Sequence, residues 1–334
     1  MNSPRLSILA PVLNVEKYVA ETIESVLAQS YQDWELIFMD GQSKDRTLEI
    51  LRGYAARDSR IRVYSEPDEC SWHAFDKMFD LMRGEYLCNI MGQDGFLDPQ
   101  WFEKAMKVFE EDPNVSLVWG LGQSKAEDGT LLPGAYDLYY GQFIGGKVQG
   151  TMTGSLMKKA LQLIKDFIFG GARRRKIILD NIFSRHAKLK WRLFKERNLA
   201  KAPPQKENWL LYWLDTGLTF LDQSLIVHRD VFLRCMPRYK KGSRVIGYFP
   251  EFFYRFSAEG YLPYFIPSYA VFARQHPGNS TERAWKEMHE GYQTYLHRVM
   301  KLREELLHTG GPVIFRNPKG EPIMTKKIVN HTLV

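Results

Sequence analysis

Short apolar runs alternate with segments of helical spacing along the first 120 residues. Between the runs, apolar side chains recur every three or four residues, as in Val19, Ile23 and Val26, which is typical of helices with one buried face. The runs suit strands buried on both faces, and they are Leu6–Val12, Trp34–Met39, Ile61–Tyr64, Tyr86–Met91 and Val115–Trp119. This alternation predicts an α/β fold with a mostly parallel, doubly wound sheet and helices on both faces.

The pattern is less regular after residue 125 and predicts three parts of the chain. Residues 1–125 form the regular α/β half. Residues 126–280 form a second half with a basic helical insertion at 158–208. Residues 281–334 form a C-terminal part, in which 281–307 predict one charged amphipathic helix. The tail after Gly310-Gly311 is predicted to be loosely held.

The positive charge of the chain is concentrated in one segment. The whole chain has 46 Lys+Arg, 39 Asp+Glu and a net charge of +7. Residues 158–206 alone hold fifteen Lys/Arg and three acidic residues, so the rest of the chain is mildly acidic. This distribution predicts a local anionic partner, such as an anionic membrane surface. It argues against a chain-wide nucleic-acid surface, because one segment supplies the basic character. The segment also lacks any recognised nucleic-acid-binding module, which argues against nucleic-acid binding.

Cysteine content and hydropathy bear on the compartment of the protein. Three cysteines, Cys70, Cys88 and Cys235, are too few and too scattered for a disulfide framework or a zinc site. No apolar run reaches 18 residues, so a membrane-spanning helix is not expected. We therefore expect a cytoplasmic protein that associates with membranes through residues 158–206.

An acidic residue follows each of the second, third and fourth predicted strands. These residues are Asp40, Asp68 and Asp94. In sheets of this class, ligands bind at the carboxyl ends of the strands. Carboxylates there can accept hydrogen bonds from ribose hydroxyls and from base N–H groups. One of them can also hold Mg²⁺ or Mn²⁺ against a diphosphate, because these ions prefer hard oxygen ligands.

These strand ends, with their flanking residues, resemble a known enzyme family. The segments that carry the resemblance are "SILAPVLNVEKYVAETIESVLAQSYQDWELIFMDGQSKDRT", "SEPDECSWHAFDK" and "GEYLCNIMGQDGFLDP". The set resembles inverting family 2 glycosyltransferases with the GT-A fold. The resemblance weakens through "LDQSLIVHRDVF", "FPEFFYRFSAEGYLPYFIP" and "ARQHPGNST". It implies a nucleotide-sugar-dependent transferase that moves a sugar, with metal assistance and inversion, to a hydroxyl of a glycan or lipid-linked acceptor.

The resemblance also implies roles for individual nucleotide-binding residues. Pro11 and Asn14 match the first loop, which encloses the nucleoside. Asp40 matches the residue that contacts the nucleoside, and Ser43 shapes the same loop. Asp68 matches an acidic residue that reaches the base. Residues 1–125 are therefore interpreted as the nucleotide-sugar-binding half and residues 126–280 as the acceptor half.

The candidate metal ligands are Asp94 and His276. Asp94 matches an aspartate of the DXD-type motif that holds Mn²⁺ or Mg²⁺, although Gln93 and Gly95 flank it where a second acidic residue is common. One or two carboxylates, completed by phosphate oxygens and water, are enough for Mg²⁺. Arg274 or His276 is expected to add positive charge or a ligand from the C-terminal side.

The catalytic base is expected in the acceptor half. The family has an acidic pair a few residues before an arginine, and the matching stretch before Arg255 offers only Glu251. Glu251 is therefore the first candidate for the base, with Asp222 as the second. Such a base would remove the proton from the acceptor hydroxyl as it attacks the anomeric carbon.

Two other functions compete with this interpretation. A catalytically impaired nucleotide-sugar-binding or scaffold protein on the same fold would explain Gln93, Gly95 and the missing acidic partner of Glu251. A dinucleotide-dependent oxidoreductase would need Gly-x-Gly-x-x-Gly in the first strand-to-helix turn. The chain has Pro11-Val12-Leu13-Asn14 there, which argues against the oxidoreductase.

Overall fold

The computed structural model describes residues 3–132, 203–217, 219–220, 222–241, 248–276 and 280–334. Nine strands of these residues form one mixed sheet. In chain order they are β1 (Leu6–Val12), β2 (Trp34–Asp40), β3 (Ile61–Ser65), β4 (Tyr86–Asn89), β5 (Gly95–Phe96), β6 (Val115–Lys125), β7 (Leu131–Leu132), β8 (Ile226–His228) and β9 (Leu262–Arg274). Three further strands form a small separate sheet: β10 (Pro312–Arg316), β11 (Pro322–Val329) and β12 (Thr332–Leu333).

Helices connect most of these strands. They are α1 (Val19–Leu27), α2 (Thr47–Ala55), α3 (Ser71–Phe79), α4 (Trp101–Glu111), α5 (Asn208–Thr216), α6 (Arg229–Cys235), α7 (Tyr248–Ala258) and α8 (Ser280–Thr309). A short 3₁₀ turn at Asp222–Ser224 precedes β8. The helical stripe predicted in the first helix is confirmed, because Val19, Ile23 and Val26 are fully buried. The predicted C-terminal helix is confirmed as α8.

The strand order of the large sheet is β3-β2-β1-β4-β8-β6-β9-β5, with β7 beside β6. β1, β2, β3 and β4 pair in parallel, and β8 is antiparallel to both β4 and β6. β9 is parallel to β6, while β5 and β7 are antiparallel to their partners. Six of the nine described strands therefore run in one direction, which confirms the predicted α/β fold with a mostly parallel sheet.

The order of the parallel strands reverses direction between β1 and β4. Successive connections move from β1 outward to β3, and the next one returns across the sheet to β4. Because such crossovers are right-handed, α1 and α2 cover one face and α3 covers the other, as a doubly wound sheet requires. The reversal creates a crevice at the carboxyl ends of β1 and β4, which is where ligands bind in such sheets.

The five predicted strands begin at the residues where the structure has them, and four of them end at a different residue. β6 continues six residues past the predicted end, because Leu121–Lys125 pair with the long strand β9. β3 was expected to be buried on both faces, and that expectation is wrong. Only Ile61 is buried, since β3 is the edge strand of the sheet and its remaining side chains are half-buried.

The prediction of a loosely held tail is also wrong. β10, β11 and β12 form an antiparallel sheet, and Val313, Phe315, Ile328 and Leu333 are buried in the main hydrophobic core. The alternation of buried and exposed positions in Pro312–Arg316 is the pattern of a half-buried strand. The diglycine before it ends helix α8, where Gly310 has a φ of 56°.

Several predictions fall on residues outside the described ranges. These include most of the Gly-rich segment 126–157 and of the basic segment 158–206. The division into residues 1–125, 126–280 and 281–334 stays a prediction. Among the described helices, none combines the length and the apolar composition needed to cross a membrane.

Candidate active site

Asp40 ends β2 at the carboxyl edge of the sheet and is completely buried. Its carboxylate accepts hydrogen bonds from the backbone N–H of Ser43, at 3.1 and 3.3 Å, and from the hydroxyl of Ser65, at 2.7 Å. A buried carboxylate in this position fixes the loop after β2 against the end of β3. Asp40 thus shapes the wall of the cleft through its hydrogen bonds to Ser43 and Ser65.

The loops after β1 and β2 are joined by reciprocal hydrogen bonds. The Asn14 N–H donates to the Ser43 hydroxyl at 2.9 Å, and the Asn14 side-chain oxygen accepts from the Lys44 N–H at 2.7 Å. Asn14 has a φ of 52°, a left-handed conformation that asparagine tolerates better than most residues. Pro11 lies inside β1 and is buried, so it is not part of the loop. The exposed residue at the loop's start is Leu13.

Asp68 packs against the same wall from the loop that follows β3. A Cβ on Gly41 would lie 2.5 Å from Asp68 Oδ2, so the close approach depends on glycine. Burial raises the pKa of Asp68; the nearby Lys77 and His73 oppose that effect, and the charge of Asp40 adds to it. Asp40 and Asp68 therefore form one acidic pair beyond the ends of β2 and β3.

Asp94 lies in the turn between β4 and β5 and is 3% exposed. The Thr22 hydroxyl of α1 donates to the Asp94 backbone carbonyl at 2.6 Å. Asp94 Oδ1 accepts from the Arg274 N–H at 2.8 Å. Burial raises the pKa of Asp94 to about 7; the backbone hydrogen bond from Arg274 opposes that effect, and the charge of Asp222 adds to it. Asp94 and Asp222 thus form a second acidic pair.

The two acidic pairs share one edge of the sheet. Asp40 is the last residue of β2 and Asp94 follows β4, with β1 between these two strands. At about 4.8 Å between neighbouring strands, the ends of β2 and β4 lie roughly 10 Å apart. A Cβ on Gly92 would lie 2.5 Å from Val12 Cγ1, so the turn that carries Asp94 packs directly on the end of β1. Asp94 therefore lies at the crevice where the strand order reverses.

Arg274, at the end of β9, holds the Asp94 turn in place. Its side chain is buried and donates from Nε to the Gln93 carbonyl and from Nη1 to the Ala126 carbonyl, each at 3.2 Å. Nη2 forms an ion pair with Glu21 of α1. Arg274 was expected to add positive charge to the site. Burial raises the pKa of Asp94, and the charge of Arg274 acts to lower it. The guanidinium also joins three elements of the fold through its contacts with Gln93, Ala126 and Glu21.

The two candidate bases have different surroundings. Glu251 lies in the first turn of α7. One of its oxygens accepts from Arg255 Nε at 2.5 Å and the other from Arg298. Burial alone would raise the pKa of Glu251, and the hydrogen bonds from the two arginines lower it. Asp222 is half-buried in the 3₁₀ turn, and its charge acts on Asp94. Arginines therefore hold both oxygens of Glu251.

The donor set at Asp94 fits a divalent cation that is shared with a diphosphate. Asp94 Oδ2 accepts no hydrogen bond from the described residues, and a second acidic charge lies nearby. Those residues contain no group of three or more His, Cys, Asp or Glu placed to hold a metal by themselves. His276 follows β9, with its ring 5.2 Å from that of Tyr18. Phosphate oxygens and water would therefore complete the coordination at Asp94.

Comparison with known proteins agrees with these features. Residues 7–183, just over half of the chain, match the glycosyl transferase family 2 sequence family. A chondroitin synthase of Escherichia coli is 30% identical over 134 residues, which are 40% of this chain and 19% of that protein. A putative teichuronic acid biosynthesis glycosyltransferase of Bacillus subtilis, TuaG, is 35% identical over 130 residues, or 39% and 51% of the two chains. The chain therefore spans no more than about half of these relatives.

Two solved structures are similar over most of the chain. Staphylococcus aureus TarS 1–349 in complex with UDP-GlcNAc has a TM-score of 0.47 and 13% identity, covering 91% of this chain and 66% of that one. The mannosyltransferase PcManGT of Pyrobaculum calidifontis in complex with GDP-Man and Mn²⁺ has a TM-score of 0.48 and 13% identity, covering 92% and 76%. At this level the likeness says nothing about the substrate of this chain.

The family match covers the strands β1 to β6, whose ends carry Asp40, Asp68 and Asp94. The predicted enzyme class, a glycosyltransferase, and the predicted GT-A type fold are confirmed by this match together with the observed sheet. The chain belongs to glycosyltransferase family 2.

Proposed function

We propose that the chain transfers a sugar from a nucleoside diphosphate donor to a hydroxyl of a glycan or lipid-linked acceptor, with inversion and with Mn²⁺ or Mg²⁺. The observation that carries the proposal is the buried Asp94. Its pKa is raised to about 7, with Asp222 beside it, at the crevice where the strand order reverses. A carboxylate in such a place is typical of a functional site, because burial and like charge are costly without a ligand.

The nucleoside would lie over the acidic pair of Asp40 and Asp68. The oxygens of Asp40 already accept hydrogen bonds from Ser43 and Ser65, so Asp40 supports the loop from behind. Asp68 receives no hydrogen bond from the described residues and is the carboxylate that would accept from the base or ribose. The loop of Asn14, held by Ser43, would close over the nucleoside from the side of β1.

The diphosphate would lie at the carboxyl end of β4, toward Asp94. A divalent cation held there supplies positive charge that stabilises the leaving diphosphate. Asp94 Oδ2 is the oxygen that would bind the cation, because Oδ1 already accepts a hydrogen bond from the Arg274 N–H. The spacing of roughly 10 Å between the ends of β2 and β4 suits a ligand whose base and diphosphate are joined through a ribose.

Asp222 would act as the base. Its carboxylate takes the proton of the acceptor hydroxyl while that oxygen attacks the anomeric carbon of the donor sugar. The new carbon–oxygen bond forms as the bond to the diphosphate oxygen breaks, and the electron pair leaves with the nucleoside diphosphate. A single displacement of this kind inverts the anomeric configuration. Glu251 is unsuited to it, since Arg255 and Arg298 bind both of its oxygens.

The test is donor hydrolysis and transfer by purified protein with UDP- and GDP-sugars in the presence of Mn²⁺. Asp94→Asn should reduce turnover at least about a hundredfold, the usual scale for losing one electrostatic contact to the transition state. Glu49→Gln is the matched control, because Glu49 is an exposed carboxylate on α2 that pairs only with Arg46 among the described residues. Full turnover by Asp94→Asn would refute the metal site.

The same assay distinguishes an active transferase from the second candidate function, a catalytically impaired binding or scaffold protein. The ion pairs that occupy Glu251 favour it, because the acceptor half then lacks a free acidic residue at the position where the family has its base. Calorimetric binding of nucleotide-sugars without hydrolysis or transfer, over a broad panel of acceptors, would establish that alternative.

We also propose that the basic segment 158–206 docks on an anionic membrane surface. The support is its excess of twelve positive charges, each worth about 1 kcal/mol near such a surface. Flotation with vesicles containing phosphatidylglycerol should recover the protein at low salt and not at 1 M salt. Failure to float at low salt contradicts the docking.

A further inference from the structure

A groove of about 640 Å³ lies at the edge of the large sheet opposite the candidate active site. It borders Tyr261, which directly precedes β9, and β9 ends at Arg274 beside Asp94. Thirteen residues at about 3.3 Å each separate the two ends of β9 by roughly 40 Å. The groove is therefore distinct from the place proposed for the donor.

Much of the groove lining is apolar. Helices α5 and α8 and strand β10 contribute its aliphatic surface, which consists of Leu210, Leu302, Leu306, Pro312, Val313 and Ile314. Ile314 remains 37% exposed, although most aliphatic side chains of the described core are fully buried. A volume of several hundred Å³ with such a lining is in the range of sites for small molecules.

The lining also includes three cations: Arg234 of α6, Arg316 of β10 and Lys319 of the turn between β10 and β11. Arg234 Nη1 donates to the Tyr261 hydroxyl at 2.7 Å, and Arg316 Nη1 donates to the Gly320 carbonyl at 3.0 Å. A Cβ on Gly320 would lie 2.8 Å from Arg234 Nη1. The turn therefore depends on glycine to admit the guanidinium, and the two arginines are held in place by neutral oxygen atoms.

The positive charge of these three residues is not neutralised by ion pairs within the described part of the chain. Within the described residues, none of the three cations lies within ion-pair distance of a carboxylate. Glu259 is the one acidic residue among those that line the groove, which leaves a net charge of +2. Two guanidinium groups with free N–H donors match the geometry of phosphate oxygens.

We propose that this groove binds a phosphate ester of an apolar alcohol. The phosphate would be held by Arg234, Arg316 and Lys319, and the hydrocarbon would lie along Leu302 and Leu306. This proposal does not depend on the proposed transferase activity, since the groove lies far from Asp94. The ester group is common to membrane lipids and to soluble phosphates, so the test includes both.

The first measurement is calorimetric titration of the full chain with hexyl phosphate, inorganic phosphate and hexyl glucoside. Hexyl phosphate should bind at least about tenfold more tightly than the other two, because it alone has both a hydrocarbon for the aliphatic residues and a phosphate for the cations. Lys319→Gln and Arg316→Gln should each weaken hexyl phosphate about tenfold, the effect expected for one hydrogen bond to a charged group. Lys107→Gln, an exposed lysine of α4, is the matched control.

Lys319→Gln keeps the test sound if Arg316→Gln unfolds, because Lys319 is exposed and makes no hydrogen bond within the described residues. Unchanged affinity for hexyl phosphate in Lys319→Gln would overturn the site. If inorganic phosphate binds as tightly as hexyl phosphate, the hydrocarbon does not contribute to binding, and that part of the proposal is wrong. If hexyl glucoside binds as tightly as hexyl phosphate, the phosphate does not contribute, and that part of the proposal is wrong. With vesicles of phosphatidic acid, weaker binding by Lys319→Gln than by wild type identifies a lipid. Equal vesicle binding with weaker hexyl phosphate binding identifies a soluble ester.

Discussion

Arg274→Met should loosen the turn that carries Asp94 while leaving most of the packing intact. The methionine can follow the aliphatic part of the arginine beside the rings of Tyr18 and Phe272. The hydrogen bonds of Nε to the Gln93 carbonyl and of Nη1 to the Ala126 carbonyl are lost, together with the ion pair to Glu21.

The expected cost follows from these contacts. Each hydrogen bond from a charged group to a buried acceptor contributes about 1.5–3 kcal/mol. The ion pair adds less than about 1 kcal/mol, because the Glu21 side chain is 44% exposed and screened by water. The total is roughly 4 kcal/mol of unfolding free energy. For a chain of 334 residues that lowers the melting temperature by about 6 °C.

The turnover of donor hydrolysis should fall by more than the loss of folding stability alone would cause. Movement of Asp94 by about 1 Å is enough to reduce turnover roughly a hundredfold. Arg274→Lys keeps the charge beside Glu21 and loses the forked donor, so its melting temperature and turnover should lie between those of Arg274→Met and wild type. Calorimetry and hydrolysis of a nucleotide-sugar with Mn²⁺ measure the two effects.

The control is Arg57→Met, which removes an exposed arginine whose Nε also donates to a backbone carbonyl, that of Gly53. Its stability should change by less than about 0.5 kcal/mol. If Arg274→Met melts and turns over like Arg57→Met, Arg274 does not hold the Asp94 turn, and our account of the site is wrong.

Three further predictions concern the sheet edge and the core. Asp222→Asn should lower kcat about 10²–10⁴-fold and Glu251→Gln less than tenfold; the reverse ranking would restore Glu251 as the base. Gly41→Ala should displace Asp68 and weaken donor binding about tenfold in calorimetry with little change in melting; unchanged affinity would exclude Asp68 from the donor site. Glu35→Gln should cost about 2–4 kcal/mol in urea unfolding at pH 7, and an equal cost at pH 3 would contradict its ion pairing.

The pH dependence of that last prediction has a defined sign. Burial alone would raise the pKa of Glu35, and hydrogen bonds from Ser7, Arg83 and Arg62 lower it in the folded protein. The stabilisation is therefore present above the unfolded pKa and is lost as the pH falls through the folded pKa. The wild-type advantage over Glu35→Gln should shrink below about pH 4.

The sheet edge could be predicted from the sequence because its signals are local. Each of the first four strands is a short apolar run that ends in polar or acidic residues within a few positions. Strand alternation then places those ends on one side. Asp40 and Asp68 were therefore expected together, and the structure brings them together through Gly41.

The partners of Asp94 could not be predicted in this way. Asp222 and Arg274 lie 128 and 180 positions further along the chain, and no local pattern connects them to the turn after β4. The same limit applies to Glu251, whose ion pair with Arg298 depends on how α7 packs on α8. The tail had a local signal, the alternation of Val313 and Phe315, which the preceding diglycine obscured.

The small C-terminal sheet has a consequence for any shortened form of the protein. Phe315 is 1% exposed, and strands β11 and β12 rest on α8 and α5. A fragment that ends at Thr309 would lack the apolar side chains that cover both helices and Tyr261. Such a fragment would expose a contiguous apolar surface and would tend to self-associate during expression, although it would retain every residue of the candidate active site.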